Sequence, residues 1–231
     1  DLLCQFFSVL AIGLWMTGNR VGLARSLMVG LLSVIALTSK EQAVVLPVAL
    51  FWIMLVDRLF DGSFSKYRTI QAGTLLFLLF GFSFIIIITR ILYVTDSADA
   101  AYRTGWSPGI VLENTRAAAL WIFRIFLFDT SSWPEVRYYA FSKPGFLLGL
   151  VFVVSSLYYV LSSLRHPESR RTVLYLLGIM MIFFALPVYS GGRPWHFGVP
   201  AIAASLLAAA GFRQLWDRCF SSPSARSTGY V

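Results

Sequence analysis

Ser39-Lys40-Glu41-Gln42 divides two long apolar runs. Val21 to Thr38 precedes it, interrupted only by Arg25, and Ala43 to Val56 follows with no charge at all. Runs of this length and apolarity read as membrane-spanning helices. A Lys-Glu pair at their junction cannot stand bare in hydrocarbon, so it lies at the membrane surface or lines a polar cavity. Polar chemistry is therefore expected on that side of the membrane.

Composition agrees. The chain is 58% hydrophobic and 13% charged, whereas soluble domains carry roughly 25% charged residues. Its mean hydropathy is +0.73. The 20 Phe, 10 Tyr and 7 Trp suit a lipid-facing exterior with aromatic belts at the interfaces. The net charge of +8 does not point to nucleic acid, because the basic residues fall in short interhelical connections rather than along one face. Cys4 and Cys219 lie near opposite ends of the chain and make no metal-ligand spacing. They read as two unpaired cysteines in or near helices. The sequence starts at Asp1, with no initiator Met and no basic leader before the apolar run. This points to a piece of a longer protein rather than to a cleavable signal peptide.

About seven spans are expected: Leu2 to Met16, Val21 to Thr38, Ala43 to Leu59, Thr69 to Leu92, Pro144 to Leu164, Thr172 to Pro187 and Phe197 to Phe212. The fold class is an all-α, polytopic integral membrane bundle over residues 1–220. The Ser-rich tail Ser221 to Val231 reads as a disordered cytoplasmic end. Orientation follows from Lys and Arg in the connections. With Arg165-His166-Pro167-Glu168-Ser169-Arg170-Arg171 assigned to the cytoplasm, that side receives 11 of the 19 basic residues and four acids (Asp57, Asp61, Glu168 and Asp217). The other side receives eight basic residues and seven acids. Val111 to Phe128 is apolar but carries Glu113, Arg116 and Arg124. A single crossing there would invert the basic loop, so an interfacial helix within the long outer segment Tyr93 to Lys143 fits better.

This topology gathers three polar segments outside: Ser39 to Gln42, Tyr93 to Lys143, and Tyr189-Ser190-Gly191-Gly192-Arg193-Pro194-Trp195-His196. Aromatic faces stack on sugar rings, Arg and Lys bind phosphate, and a carboxylate can take a proton from an acceptor hydroxyl. Each residue also has a plain structural reading. Lys40 and Glu41 suit a helix-terminal ion pair, and Ser39 with Gln42 suits a capping box. Arg193 can snorkel to head groups, His196 can be a satisfied interfacial histidine, and Trp195 can belong to the aromatic belt. Composition alone favours the ion-pair reading of Lys40 and Glu41; co-location on one face is what raises a binding site. No phosphate loop, dinucleotide fingerprint, hydrolase elbow or zinc spacing is present in the sequence.

Three motifs carry a family resemblance. Asp1-Leu2-Leu3 opens the first helix. Leu37-Thr38-Ser39-Lys40-Glu41 with Pro47 matches the pattern L-x-S-K-E-x-x-x-x-x-P, with Asp57-Arg58 after the next helix. Gly192-Arg193-Pro194-Trp195-His196 with Pro200 is similar to a late R-x-x-Y/H-x-x-P segment, with a longer spacing from Arg193 to Pro200. Together they resemble the GT-C superfamily of polyprenyl-phosphate-sugar-dependent glycosyltransferases, in its protein O-mannosyltransferase-like, tetratricopeptide-associated branch. The earlier helices and acidic first outer loop of that pattern have no counterpart here, and no tetratricopeptide repeat follows Phe212.

The resemblance implies transfer of a sugar from a polyprenyl-phosphate carrier to an acceptor on the extracytoplasmic face, by single displacement with phosphate leaving. Lys40 and Arg193 would steady the leaving phosphate, Glu41 would orient Lys40 or contact the sugar, His196 and Arg116 would be second choices for phosphate contact, and Trp195 a further substrate-binding residue. The catalytic base is expected upstream of Asp1. The carrier lipid is a substrate; no cofactor, metal or nucleic acid is expected. Partners are membrane lipid, the carrier sugar and other membrane subunits. A bacterial inner membrane fits best, with the endoplasmic reticulum as alternative. The competing reading is a non-catalytic GT-C-like scaffold subunit of a larger complex. A transporter ranks last, because the spans are nearly free of internal charge.

Overall fold

The computed structural model describes residues 2–17, 22–62, 69–94, 108–109, 111–116, 144–190 and 198–220. Among them every regular element is helical. The elements are α1 (Leu2–Met16), α2 (Leu23–Ser39), a 3-10 turn (Glu41–Val45), α3 (Leu46–Asp61), α4 (Thr69–Val94), α5 (Pro144–Ser163), α6 (Pro167–Ser190) and α7 (Gly198–Phe220). Residues 111–116 form a further helical stretch. Three helical stretches are long and apolar enough to cross a membrane: Gln42–Asp61, Ile70–Thr89 and Val199–Phe220. Leu2–Met16, Leu23–Ser39 and Leu150–Ser163 are apolar but shorter.

The helices bury stripes at helical spacing. On α1 the buried positions are Cys4, Ser8, Ala11, Ile12 and Trp15; on α2 they are Ser26, Val29, Ser33, Ala36 and Leu37. These i, i+3, i+4, i+7 patterns bring one face of each helix to the other. The opposite faces, with Phe6, Leu10, Leu27 and Leu31, stay exposed. Large apolar side chains on the outside are what a lipid-covered bundle presents.

Packing follows two cores. The larger joins α1, α2, the 3-10 turn, α3 and α4 with the Tyr175, Ile179 and Phe183 face of α6; the smaller joins α5 and α7 with Val173 and Leu176 of α6. The helix α6 therefore presents one side to each core and ties them together. It runs antiparallel to α3: Arg171 meets Asp57 near one end, and Trp52 Nε1 donates to the Leu174 carbonyl at 2.9 Å one turn further on. Gly178 lies under the Trp52 indole, where a Cβ would collide with the ring. Gly211 of α7 similarly faces the Ser155 carbonyl of α5. Small residues at such crossings let helix backbones approach closely in a membrane.

Several sequence boundaries shift. The second helix runs to Ser39, and α3 proper starts only at Leu46. Its stop is set by Gly62, in the left-handed region at φ 67, whose N–H donates to the Arg58 carbonyl at 3.0 Å. The basic loop is a correction. Helix α6 begins at Pro167 rather than Thr172, so Arg170 and Arg171 are helical and the connection shrinks to 164–166. Proline is suited to that first position because its missing N–H would have no helical partner there. Helix α7 continues to Phe220 rather than ending at Phe212. Phe212, Trp216 and Phe220 stack along one face with centroids 6.0 and 4.4 Å apart, and Ser162 Oγ donates to Gln214 Oε1 at 2.7 Å from α5. These contacts carry the helix past the last core turn. Neither Cys4, which is buried, nor Cys219, which is exposed, forms a disulfide, as the sequence indicated. The interfacial helix expected over Val111 to Phe128 is described only through residue 116, and the tail from Ser221 lies outside the described residues.

Candidate functional site

The Ser39-Lys40-Glu41-Gln42 stretch is a break between two helices, folded inward. Helix α2 closes with the Lys40 N–H donating to the Ala36 carbonyl at 3.2 Å. Lys40 itself is extended (φ −164, ψ 143) and half-buried. Its carbonyl accepts the Ala43 N–H at 3.2 Å and the Cys4 thiol of α1 at 3.9 Å. The capping-box reading of Ser39 does not hold: its hydroxyl turns back to the Ile35 carbonyl at 2.7 Å, inside α2. The 3-10 turn that follows touches α1, α2, α3, α4 and α6. Ala43 is fully buried, and Gln42 is only 7% exposed with no hydrogen-bond partner for its Nε2. A polar break at a helix junction usually faces water; this one sits where five helices meet.

The expected site residues separate into three groups. Lys40 is described in full; for Glu41 the backbone, which opens the 3-10 turn, is described. Arg116 is exposed on the 111–116 stretch, beside the buried Asn114. Arg193, Trp195 and His196 lie outside the described residues. The elements that flank that last group are informative. Continuing the antiparallel register of α6 on α3, set by Arg171 at Asp57 and Leu174 at Trp52, the last turns of α6 reach the level of the 3-10 turn, which α6 touches. Val199, in the first turn of α7, joins the same core as Ala43 and Leu46.

A second polar cluster, not singled out in the sequence, stands at the other end of α3. Asp57 is 1% exposed. It accepts a hydrogen bond from Arg171 Nη2 and another from the Tyr175 hydroxyl. Arg171 also forks onto Asp61, with Nη1–Oδ1 and Nη2–Oδ2 both 2.9 Å, and its Nε donates to Tyr175 Oη at 2.7 Å. Burial alone would lower the Arg171 pKa; hydrogen bonds and charge from Asp57 and Asp61 outweigh it and hold the guanidinium above its ordinary value. A buried carboxylate is tolerated when paired in this way. The signal was present in the sequence: Asp57 falls on the Leu50, Ile53 side of α3 at i+7 and i+4, so it had to be buried, and charge counting put Arg171 on its side of the membrane.

Among the described residues no group of three or more His, Cys, Asp or Glu is placed to hold a metal ion. Comparison with family models, with characterised proteins and with solved structures found no match to this chain.

Proposed function

We propose that the chain is an integral membrane protein of about seven spans that acts as a glycosyltransferase, moving a sugar from a polyprenyl-phosphate carrier to an extracytoplasmic acceptor. The observation that carries this reading is the antiparallel packing of α6 on α3 together with the contact of α6 with the 3-10 turn. It draws the Lys40 segment and the end of α6, from which the Arg193 segment follows, to one end of the bundle. The Asp57–Arg171–Asp61 cluster occupies the other end. The Gln42–Asp61 stretch is 20 residues, about 30 Å of helix, which matches the hydrocarbon thickness between the two polar levels.

In this reading the lipid tail stays in the bilayer and the head group meets Lys40. As the bond from the anomeric carbon to the phosphate oxygen breaks, charge builds on the phosphate. The Lys40 ammonium, with Arg193, stabilises that charge more in the transition state than in the ground state. In this reading Glu41 orients Lys40 or contacts the sugar, His196 and Arg116 are further candidates for phosphate contact, and Trp195 is a further substrate-binding residue.

The test is release of polyprenyl phosphate from a sugar-charged carrier by the chain in nanodiscs. Lys40→Ala should lower the rate by on the order of 100-fold or more while thermal unfolding is unchanged. Full release by a folded Lys40→Ala variant would remove the assignment. A wild-type chain that binds the carrier yet releases nothing matches either a scaffold subunit or a catalytic base supplied from outside residues 1–231.

A further inference from the structure

Gln42 is 93% sequestered from solvent by its 7% exposure, and its Nε2 has no hydrogen-bond partner. Buried amide donors are nearly always satisfied, so an orphan one asks for a reason. Other orphaned polar atoms are mostly serine hydroxyls on helices (Ser8, Ser26, Ser33, Ser83 and Ser155), which can turn to the carbonyl one turn back. Gln42 stands two residues after Lys40, in a 3-10 turn enclosed by five helices. Its side chain is neutral, so it adds no charge for a phosphate; its strength lies in orienting an uncharged oxygen.

We propose that the Gln42 amide is a specificity-determining donor for a hydroxyl of the carrier-bound sugar, dividing the head group with Lys40, which takes the phosphate. This rests on the transferase reading of the Lys40 segment. The division follows from chemistry. A cation gains most from an anion, whereas a buried neutral donor discriminates for a ligand hydroxyl, since the ligand lacking it leaves the donor unpaired. An amide already out of water has no hydration to lose when the hydroxyl arrives.

The experiment measures binding of two lipids to the purified full chain in nanodiscs: undecaprenyl phosphate and undecaprenyl phosphoryl mannose. Gln42→Leu, of similar volume, should weaken binding of the mannosyl lipid by about tenfold, the cost of leaving a sugar hydroxyl unpaired. It should leave the bare phosphate lipid unchanged and raise the unfolding temperature, because the orphan donor is gone. Gln42→Met provides a second variant should the branched side chain disturb packing. Lys40→Ala should weaken both lipids. Gln42→Leu and Gln42→Met that bind both lipids like wild type, or lose both equally, overturn the Gln42 assignment while a Lys40→Ala loss keeps the transferase reading. A wild-type chain that binds neither lipid overturns both.

Discussion

Replacing Arg171 by Met asks how much the buried carboxylate costs when its guanidinium is removed. Asp57 is 1% exposed and loses one of its donors; the Tyr175 hydroxyl remains. Removing one partner of a buried pair costs about 3–5 kcal/mol, chiefly from the uncompensated charge left behind. The lower end applies here, because Tyr175 still donates to Asp57. Asp61 is a control on the same guanidinium: its side chain is 37% exposed, so Asp61→Asn should cost only about 0–1 kcal/mol, the range of surface pairs. The double variant Asp57→Leu/Arg171→Met removes both charges and should recover most of the loss, since apolar replacement of a buried pair is often neutral or better. Unfolding free energies in mixed detergent micelles would measure all three. A loss of about 3 kcal/mol is more than a 100-fold shift in the folding equilibrium and about 6–12 °C in Tm for a chain of this size. Arg171→Met costing no more than Asp61→Asn would refute the reasoning, as would a double variant less stable than the single.

Three further outcomes follow from the packing. Gly211→Val puts a branched side chain against the Ser155 backbone carbonyl; backbone cannot yield as a side chain can, so α5 and α7 must separate, at about 1–3 kcal/mol or more, read as a lower Tm. Trp15 is fully buried and its Nε1 donates to the Leu50 carbonyl at 3.0 Å; Trp15→Phe should cost about 1 kcal/mol for the hydrogen bond plus the lost ring volume, and a neutral result in the same unfolding assay would mean that contact contributes nothing. The third concerns pH. The folded-state pKa of Arg171 is raised, so the stability it contributes is fully present below the unfolded-state value and fades only as pH climbs through the higher folded value. Both lie far above neutrality, so the wild-type minus Arg171→Met difference should stay flat from neutral to mildly alkaline pH; a slope there would mean that another group titrates with the pair.

Among the described residues, apolar run length was enough to find α1 to α7, because uninterrupted hydrophobicity is a strong signal and tertiary context seldom overrides it. Helix ends were legible only where local chemistry settled them. Pro167 could have announced the start of α6, but the dense charge of Arg165 to Arg171 read as loop; in the fold Arg165 stays in the turn, Arg170 and Arg171 are helical, and Asp57 and Asp61 neutralise Arg171 across the interface. The run of α7 past Phe212 depends on contacts to α5, Ser162 to Gln214 and Tyr158 to Arg218, that no local pattern encodes. At the candidate site, the break at Lys40 was visible as a polar interruption. Its inward fold was not, because burial of Gln42 depends on α1, α4 and α6, which are distant in sequence, as well as on the flanking α2 and α3. Ser39 shows the same limit: capping-box spacing is necessary for a box, yet the hydroxyl found a nearer carbonyl at Ile35.

The two polar levels are mechanically related through α6. Arg171 fixes one end of this helix against α3, the Trp52–Leu174 bond and the close fit of Gly178 under the indole fix its rotation, and its far end reaches the 3-10 turn. A slip of one residue along a helix is 1.5 Å of translation and 100° of rotation, which would drive Gly178 out from under Trp52 and carry the Lys40 level past its neighbours. Apolar packing opposes such a slip only through shape, while a buried carboxylate paired with the Arg171 guanidinium opposes it through charge. The ion pair is therefore expected to contribute to register as well as to stability. The double variant Asp57→Leu/Arg171→Met separates the two, because it should recover most of the free energy of folding while leaving α6 to be located by the Trp52–Leu174 bond, Gly178 and apolar packing.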